Sequence, residues 1–424
     1  MIVEFTVKNF KSIEEETFSL TTSNKVKELP DNTFCVNKEN LVSSCIIYGR
    51  NASGKSNVLK ALDYIRSMVL LSSNFKHTDK IVYYEPFKFD INLQKKPCEF
   101  EIIFITSEKI KFEYNFSFDS NKIISESLFY FPKNKAVKLF TRELNSISYG
   151  DHYKGSKKDI ENDLLENQLF LSKSANRNIY LLKEAYIYLI ENFILLDNHD
   201  FYNENILNKN WYEAILDEES KKLKKNLINL LNYADVNILS FEVNKISKIL
   251  LPDEITKDMR EKISNMIDKK PYKIETYHKL FESEKEIGQE KINFEMESLG
   301  TKRLLSVGSL VIASLILGTT IVIDELEQSL HPLLTKTLIK LFHSKKNNPN
   351  NAQLIISSHD SSLLDNELFR RDQIYFTEKD YTGKTELYRL SDIKGVRNNI
   401  PYDKWYLSGR FDAIPVLDDF EIEF

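Results

Sequence analysis

A chain of 424 residues is long enough for two or three domains, and 42% apolar with 29% charged residues makes it globular rather than disordered. A formal net charge of −5 excludes a protein that coats nucleic acid over its whole surface, while leaving room for a local basic patch. Cys35, Cys45 and Cys98 have no metal-ligand spacing and read as reduced thiols. The opening Met1-Ile2-Val3-Glu4-Phe5 is no signal peptide, and the apolar run Leu310 to Ile323 is broken by Ser314, Gly318, Thr319 and Thr320. The expected location is therefore cytoplasmic, with no membrane partner.

Val3, Phe5 and Val7 alternate with Glu4, Thr6 and Lys8, the pattern of a half-buried strand, and Thr17-Phe18-Ser19-Leu20 is its candidate return partner. Leu41 to Tyr48 reads as a short apolar strand, and Val58, Leu59, Leu62, Ile65, Met68 and Val69 give residues 57–71 helical spacing. Strands are expected at 100–105, 110–116 and 127–131, as part of an antiparallel sheet. From Ser156 to Ile287 there is no glycine and there are only two prolines, Pro252 and Pro271, which favours helices. Helical spacing is read over 178–197 and 204–233 (Leu207, Trp211, Ile215; Leu223, Leu227, Leu230, Leu231), and a strand pair over Tyr272–Tyr277 and Lys291–Met296. Lys221-Lys222-Leu223-Lys224-Lys225 is a solvated helix face first, and a nucleic-acid or partner contact second.

Between the strand at 41–48 and the helix at 57 stands Gly49-Arg50-Asn51-Ala52-Ser53-Gly54-Lys55-Ser56, which fits G-x-x-x-x-G-K-[ST]. Backbone N–H groups of such a loop ring the α- and β-phosphates of a nucleotide, and the helix N-terminus, with Asn57 in its first turn, adds a positive dipole end. Lys55 would reach the β- and γ-phosphates, and Ser56 would hold Mg²⁺.

Thr319-Thr320-Ile321-Val322-Ile323-Asp324-Glu325 is an apolar strand ending in two acids. In a phosphate-loop enzyme Asp324 is then the second metal ligand, and Glu325 is placed to deprotonate or orient water. Upstream, Ser298-Leu299-Gly300-Thr301 opens an apolar helix; Ser298 reads both as a helix cap and, with Gly300, as an anion site. Downstream, Gln353 to Ser358 is a second apolar strand, and it delivers His359 towards a γ-phosphate.

This order of motifs resembles the ABC-type ATPases of the structural-maintenance, recombination-repair and OLD nuclease group (SMC, RecF, OLD). It is closer still to the bacterial ATPases of the RloA and AbiL type from abortive-infection and phage-defence operons. Segments that carry the closer likeness are Ile2–Ser12, Glu85–Phe89, Leu169–Ser172, Asp324–Pro332, Ser358–Asp360, Leu368–Ile374 and Gly409–Pro415. The resemblance gives Ser298, Gly300 and Thr301 the signature role and His359 the switch role. It departs from the group at Leu299, where a second glycine is usual, and at His331, where an aspartate is usual; no Q-loop glutamine is placed, and Gln94 is a weak match for one.

The implied fold is α/β: an ABC-type P-loop NTPase head with an antiparallel β subdomain and an inserted helical region. Residues 1–150 and 291–424 would form the head, and 151–290 the insertion. The implied activity is Mg²⁺-dependent ATP hydrolysis, with Lys55, Glu325 and His359 as catalytic residues. Homodimers or higher oligomers would sandwich ATP. The effector would be a separate, nuclease-like protein of the same operon, since the segment after His359 looks too short for a nuclease domain and its acids Asp418, Asp419, Glu421 and Glu423 read as solvated. Two other readings are a DNA-repair ATPase that clamps nucleic acid, and a slow-turnover nucleotide sensor.

Overall fold

Apolar alternation starts the first sheet. In the computed structural model, which describes residues 1–175, 177, 179–196, 213, 215–216, 221–234, 237–245 and 272–414, β1 (Ile2–Phe10) buries Val3, Phe5 and Val7 and turns into β2 (Ile13–Ser19). The hairpin β3 (Thr33–Val36) and β4 (Glu39–Val42) precedes β5 (Ser44–Tyr48), so Leu41–Tyr48 is two strands parted at Ser43. Helix α1 (Lys55–Leu71) follows, then β6 (Cys98–Ile105), β7 (Lys111–Phe118), β8 (Ile123–Tyr130), β9 (Val137–Glu143) and β10 (Ser146–Tyr149). These strands form an antiparallel sheet in the order β10-β9-β8-β7-β6-β1-β2. Phe100, Phe116 and Phe118 stack on one face of it, with Phe100 and Phe118 centroids 5.8 Å apart. Each such buried ring is worth about 1.5–3 kcal/mol of transfer free energy.

Three helices, α2 (Lys158–Asp163), α3 (Phe170–Ser174) and α4 (Tyr180–Glu191), lead to β11 (Phe193–Leu196). The helical spacing read over 178–197 therefore ends at Glu191. Phe193-Ile194-Leu195-Leu196 is a strand instead, because pairing in the parallel sheet satisfies its backbone and buries Phe193 and Leu196. Then come α5 (Lys221–Tyr233), β12 (Ile238–Lys245), β13 (Tyr272–Glu282), β14 (Lys285–Asn293) and α6 (Leu299–Leu317). The expected strand Lys291–Met296 is only partly a strand: Phe294–Met296 is a 3-10 turn, capped by the Asn293 side chain. Leu207, Trp211, Pro252, Pro271 and the acids from Asp418 onward lie outside the described residues.

The last stretch is β15 (Thr320–Ile323), α7 (Pro332–His343), β16 (Gln353–Ser357), β17 (Ile374–Lys379), β18 (Thr385–Arg389) and α8 (Tyr402–Leu407). The apolar run Leu310–Ile323 splits at Gly318, whose φ of +73° ends α6 in the left-handed conformation that glycine adopts cheaply. Helix α6 is long and apolar enough to cross a membrane by length and composition, and 61% of its most apolar window is buried in the protein. The second sheet has the order β11-β15-β16-β5-β17-β18, parallel throughout except for β18.

The chain divides into two compact units. The first comprises Met1–Leu196, Leu317–Leu326 and Ile339–Phe424; the second comprises Asp197–Ile316 and Glu327–Leu338. These ranges differ from a division at 150 and 290. Residues 151–196 join the first unit because α3 and α4 pack on α1 and β11 extends the parallel sheet. The second unit is not helical alone, since β12, β13 and β14 form an antiparallel sheet within it.

Several motif segments are structural ties inside the first unit. Glu126 and Arg142 form a fully buried pair 3.7 Å apart, and Glu126 also accepts the N–H groups of Phe170 and Leu171 at 2.6 and 2.9 Å. That carboxylate caps α3 and fixes Leu169–Ser172; a buried ion pair is tolerable only with such added hydrogen bonds. Arg370 is bidentate to Asp372, 2.8 Å at each contact, and Asp372 accepts the Ser23 N–H at 2.7 Å. Glu85 accepts from Tyr64 Oη at 2.9 Å and pairs with Lys11, holding Glu85–Phe89 against the β1–β2 turn.

Candidate nucleotide site

Residues 49–54 leave the C-terminal end of β5, which lies between β16 and β17 in the parallel sheet. Ala52 takes a left-handed φ of +62° and Ser53 N–H closes a turn on Arg50 O at 3.1 Å. Gly54, at φ +113°, is the cap of α1; a Cβ there would strike the Thr385 side chain, so only glycine fits. Gly54 offers no side chain to cap α1, and its carbonyl accepts the Asn57 and Val58 N–H groups at 2.9 and 3.1 Å, so no cap side chain of its own competes with an anion at this helix end. Lys55 is buried, and its ammonium donates to Gly49 O at 2.8 Å and Arg50 O at 3.3 Å across the loop. Arg50 itself reaches Lys379 O at 2.9 Å, while Asn51 is exposed. Ser56 and Asn57 lie half-buried in the first turn of α1.

The loop is gripped from the other side by residues far away in sequence. Ser53 Oγ and Thr377 Oγ1 are 2.6 Å apart; Thr385 Oγ1 donates to Ser53 O at 2.9 Å and lies 2.7 Å from Ser12 Oγ. Asn57 Nδ2 donates to the same Ser12 Oγ at 2.7 Å. Thus the β1–β2 turn and the β17–β18 hairpin hold the loop together. Neither Thr377 nor Thr385 carries a local motif that could have disclosed this role; Ser12 lies in Ile2–Ser12, one of the segments of family likeness.

The parallel register brings three strand ends together: Ile323 of β15 faces Ile356 of β16, and Ser357 faces Ile47 of β5. Asp324 and Glu325 follow β15 directly, and both are half-buried. Ser357 Oγ donates to Asp324 Oδ1 and accepts the Glu325 N–H at 2.9 Å. Glu325 has φ +54°. His359 Nε2 lies 3.8 Å from Glu325 Oε1. Burial lowers the imidazole's pKa, the nearby Lys55 ammonium lowers it further, and Glu325 and Asp324 oppose both. A lowered value keeps His359 neutral at pH 7, with one ring nitrogen able to donate and the other to accept. The first unit therefore brings together Gly49–Asn57, Asp324, Glu325 and His359 at one end of its parallel sheet.

Ser298, Gly300 and Thr301 belong to the second unit. Ser298 Oγ accepts the Thr301 N–H at 3.1 Å and lies 2.9 Å from Thr301 Oγ1, so it caps α6. Gly300 has Ser329 O at its back, 3.2 Å from where a Cβ would stand. Leu299 is 75% exposed. Gln94 sits in an exposed loop of the first unit, with its amide donating to Lys88 O at 2.7 Å.

The donors suit Mg²⁺. Ser56 offers a hydroxyl and Asp324 a carboxylate, both hard oxygens, and Mg²⁺ is usually held by one or two such groups plus phosphates and water. No group of three or more His, Cys, Asp or Glu side chains arranged to hold a metal occurs among the described residues.

The profile of a family described as "AAA domain, putative AbiEii toxin, Type IV TA system" matches residues 45–365, from β5 to just past His359. No curated protein matches the chain. Among solved structures, an Smc head with an extended coiled coil bound to the C-terminal domain of ScpA, from Pyrococcus furiosus, is 11% identical, with 92% of this chain and 96% of that chain covered and a TM-score of 0.44. The recombination mediator RecF with ATP is 16% identical, covering 91% and 97%, with a TM-score of 0.36.

Proposed function

The chain belongs to this AAA-domain family, and from that premise we propose that it is a Mg²⁺-dependent ATPase of ABC type that works as a conformational switch. The observation that carries the reading is the convergence of the Lys55 loop, Asp324–Glu325 and His359 at one end of one sheet. Loop N–H groups and Lys55 would bind the phosphates and stabilise charge on the γ-phosphoryl group. Glu325 would take the proton of the attacking water as its oxygen bonds to the γ-phosphorus and the bond to the ADP oxygen breaks. His359 would donate to a γ-phosphate oxygen. Ser56 and Asp324 would hold Mg²⁺, whose chemistry is to neutralise phosphate charge.

We further propose that Ser298, Gly300 and Thr301 face the ATP of a partner copy, so that a homodimer is the active form. The family description, with its "putative AbiEii toxin", favours an abortive-infection role; we propose that the protein acts in the cytoplasm with a separate effector encoded nearby. A nucleic-acid clamp is the second reading; Lys221, Lys222 and Lys225 are exposed on α5, which would suit phosphate backbone. Purified protein should hydrolyse ATP, and Lys55→Ala should abolish turnover and weaken nucleotide binding. Equal turnover in the variant would refute the assignment. Stimulation by DNA in low salt, lost at high salt, would favour the clamp; stimulation by the neighbouring gene product would favour the defence switch.

A further inference from the structure

We propose that Ser357 is a positioning residue that sets both acids of the hydrolytic pair and, through Asp324, the affinity for the divalent cation. The proposal rests on the ATPase reading above. Ser357 is the last residue of β16 and is fully buried, one strand away from both β15 and β5. A hydroxyl has one proton to give and two lone pairs to receive. Here the proton goes to Asp324 Oδ1, and a lone pair takes the Glu325 N–H at 2.9 Å.

Each bond has its own consequence. The first holds the Asp324 carboxylate in one orientation by occupying Oδ1, which sets how the group presents its other oxygen to a cation. Groups that orient a metal ligand in this way typically change affinity or rate by about 10–100-fold when removed. The second bond ties down a strained backbone. Glu325 sits at φ +54°, in the left-handed region where a residue with a Cβ persists only if its surroundings hold it there. That conformation turns the chain sharply after Asp324, so two consecutive residues serve different tasks: one toward the cation, the other toward His359. One hydroxyl thus couples the metal ligand to the base.

The test uses the full chain with Ser357→Ala and Ser357→Thr. Three quantities are read: kcat for ATP, ATP binding in EDTA, and Mn²⁺ binding by electron paramagnetic resonance in the presence of a non-hydrolysable ATP analogue. Ser357→Ala should lower kcat and Mn²⁺ affinity by about 10–100-fold while leaving metal-free ATP binding within about twofold. Ser357→Thr should restore both; if its melting curve reveals that the extra methyl is not accommodated, the Ala variant decides. Mn²⁺ affinity within twofold of wild type in Ser357→Ala, or a matching loss of metal-free ATP binding, overturns the proposal. Absence of ATP turnover in the wild type would sink the ATPase reading, and the Mn²⁺ measurement would still decide for or against Ser357.

Discussion

Two helix starts carry the phosphate chemistry attributed to this protein, and they are held in opposite ways. The start of α1 has a glycine cap and no side-chain cap, and its loop is fastened from outside by Thr377, Thr385 and Ser12. The start of α6 is self-sufficient, since Ser298 Oγ accepts the Thr301 N–H of its own first turn. A helix end with no cap side chain of its own, and whose loop is pinned elsewhere, is preorganised for an anion. A helix end that has capped itself must share or give up that bond to touch one. On the proposed reading the first is preorganised for phosphate, while the second would take one only when a ligand competes for the cap.

The sharpest way to break this contrast lies beside the preorganised site. Glu325→Gln should keep ATP binding and slow hydrolysis by about 10²–10⁴-fold, the usual worth of a positioned general base. Single-turnover hydrolysis with a parallel nucleotide-binding isotherm measures both. Lost binding would mean that Glu325 is part of the scaffold or a metal ligand, and the hydrolytic pair would then not be read as one ligand and one base.

A smaller effect separates cap from signature at α6. Asp caps a helix about as well as Ser, so Ser298→Asp should leave the melting temperature near that of wild type. A carboxylate facing a partner's triphosphate is repelled, and like charges set face to face cost several kcal/mol. ATP-dependent dimerisation should therefore weaken by about tenfold or more. Light scattering with and without ATP measures it. Wild-type dimerisation and turnover in Ser298→Asp would leave the residue a cap alone.

The same contrast explains what the sequence could disclose. Gly49–Ser56, Asp324–Glu325 and His359 were readable because each is a short consecutive segment at the end of an apolar strand. Ser298 was readable as a helix cap because it directly precedes the apolar helix α6. Thr385 was not, because its bond to Ser12 spans 373 residues and nothing local marks it. Phe193–Leu196 was misassigned to a helix because four apolar residues fit either period, and only pairing with β15 decides. Ser357 stood in view next to His359, but its two bonds depend on how β15 and β16 align.

The smallest expected effect tests whether outside fastening matters. Thr385→Val keeps the shape of the side chain against Gly54 and removes only the hydroxyl. Ser53 O loses the Thr385 donor at 2.9 Å, and Ser12 Oγ loses its 2.7 Å neighbour while keeping Asn57 Nδ2 at 2.7 Å. A lost buried hydrogen bond costs about 1 kcal/mol or somewhat more. Only the part of that cost felt by the nucleotide-binding conformation of the loop reaches affinity, so ATP should bind about fivefold more weakly, with kcat at saturation nearly unchanged. Because Ser12 and Thr385 share one bond, Ser12→Ala in the same background should add less than it costs alone, a coupling of about 0.5 kcal/mol or more. Binding isotherms for the two single variants and the double variant give that coupling directly. If Thr385→Val binds ATP like the wild type and the cycle closes additively, the loop holds its shape without the β1–β2 turn and the β17–β18 hairpin. The start of α1 would then be as self-sufficient as the start of α6, and the distinction between them would fall.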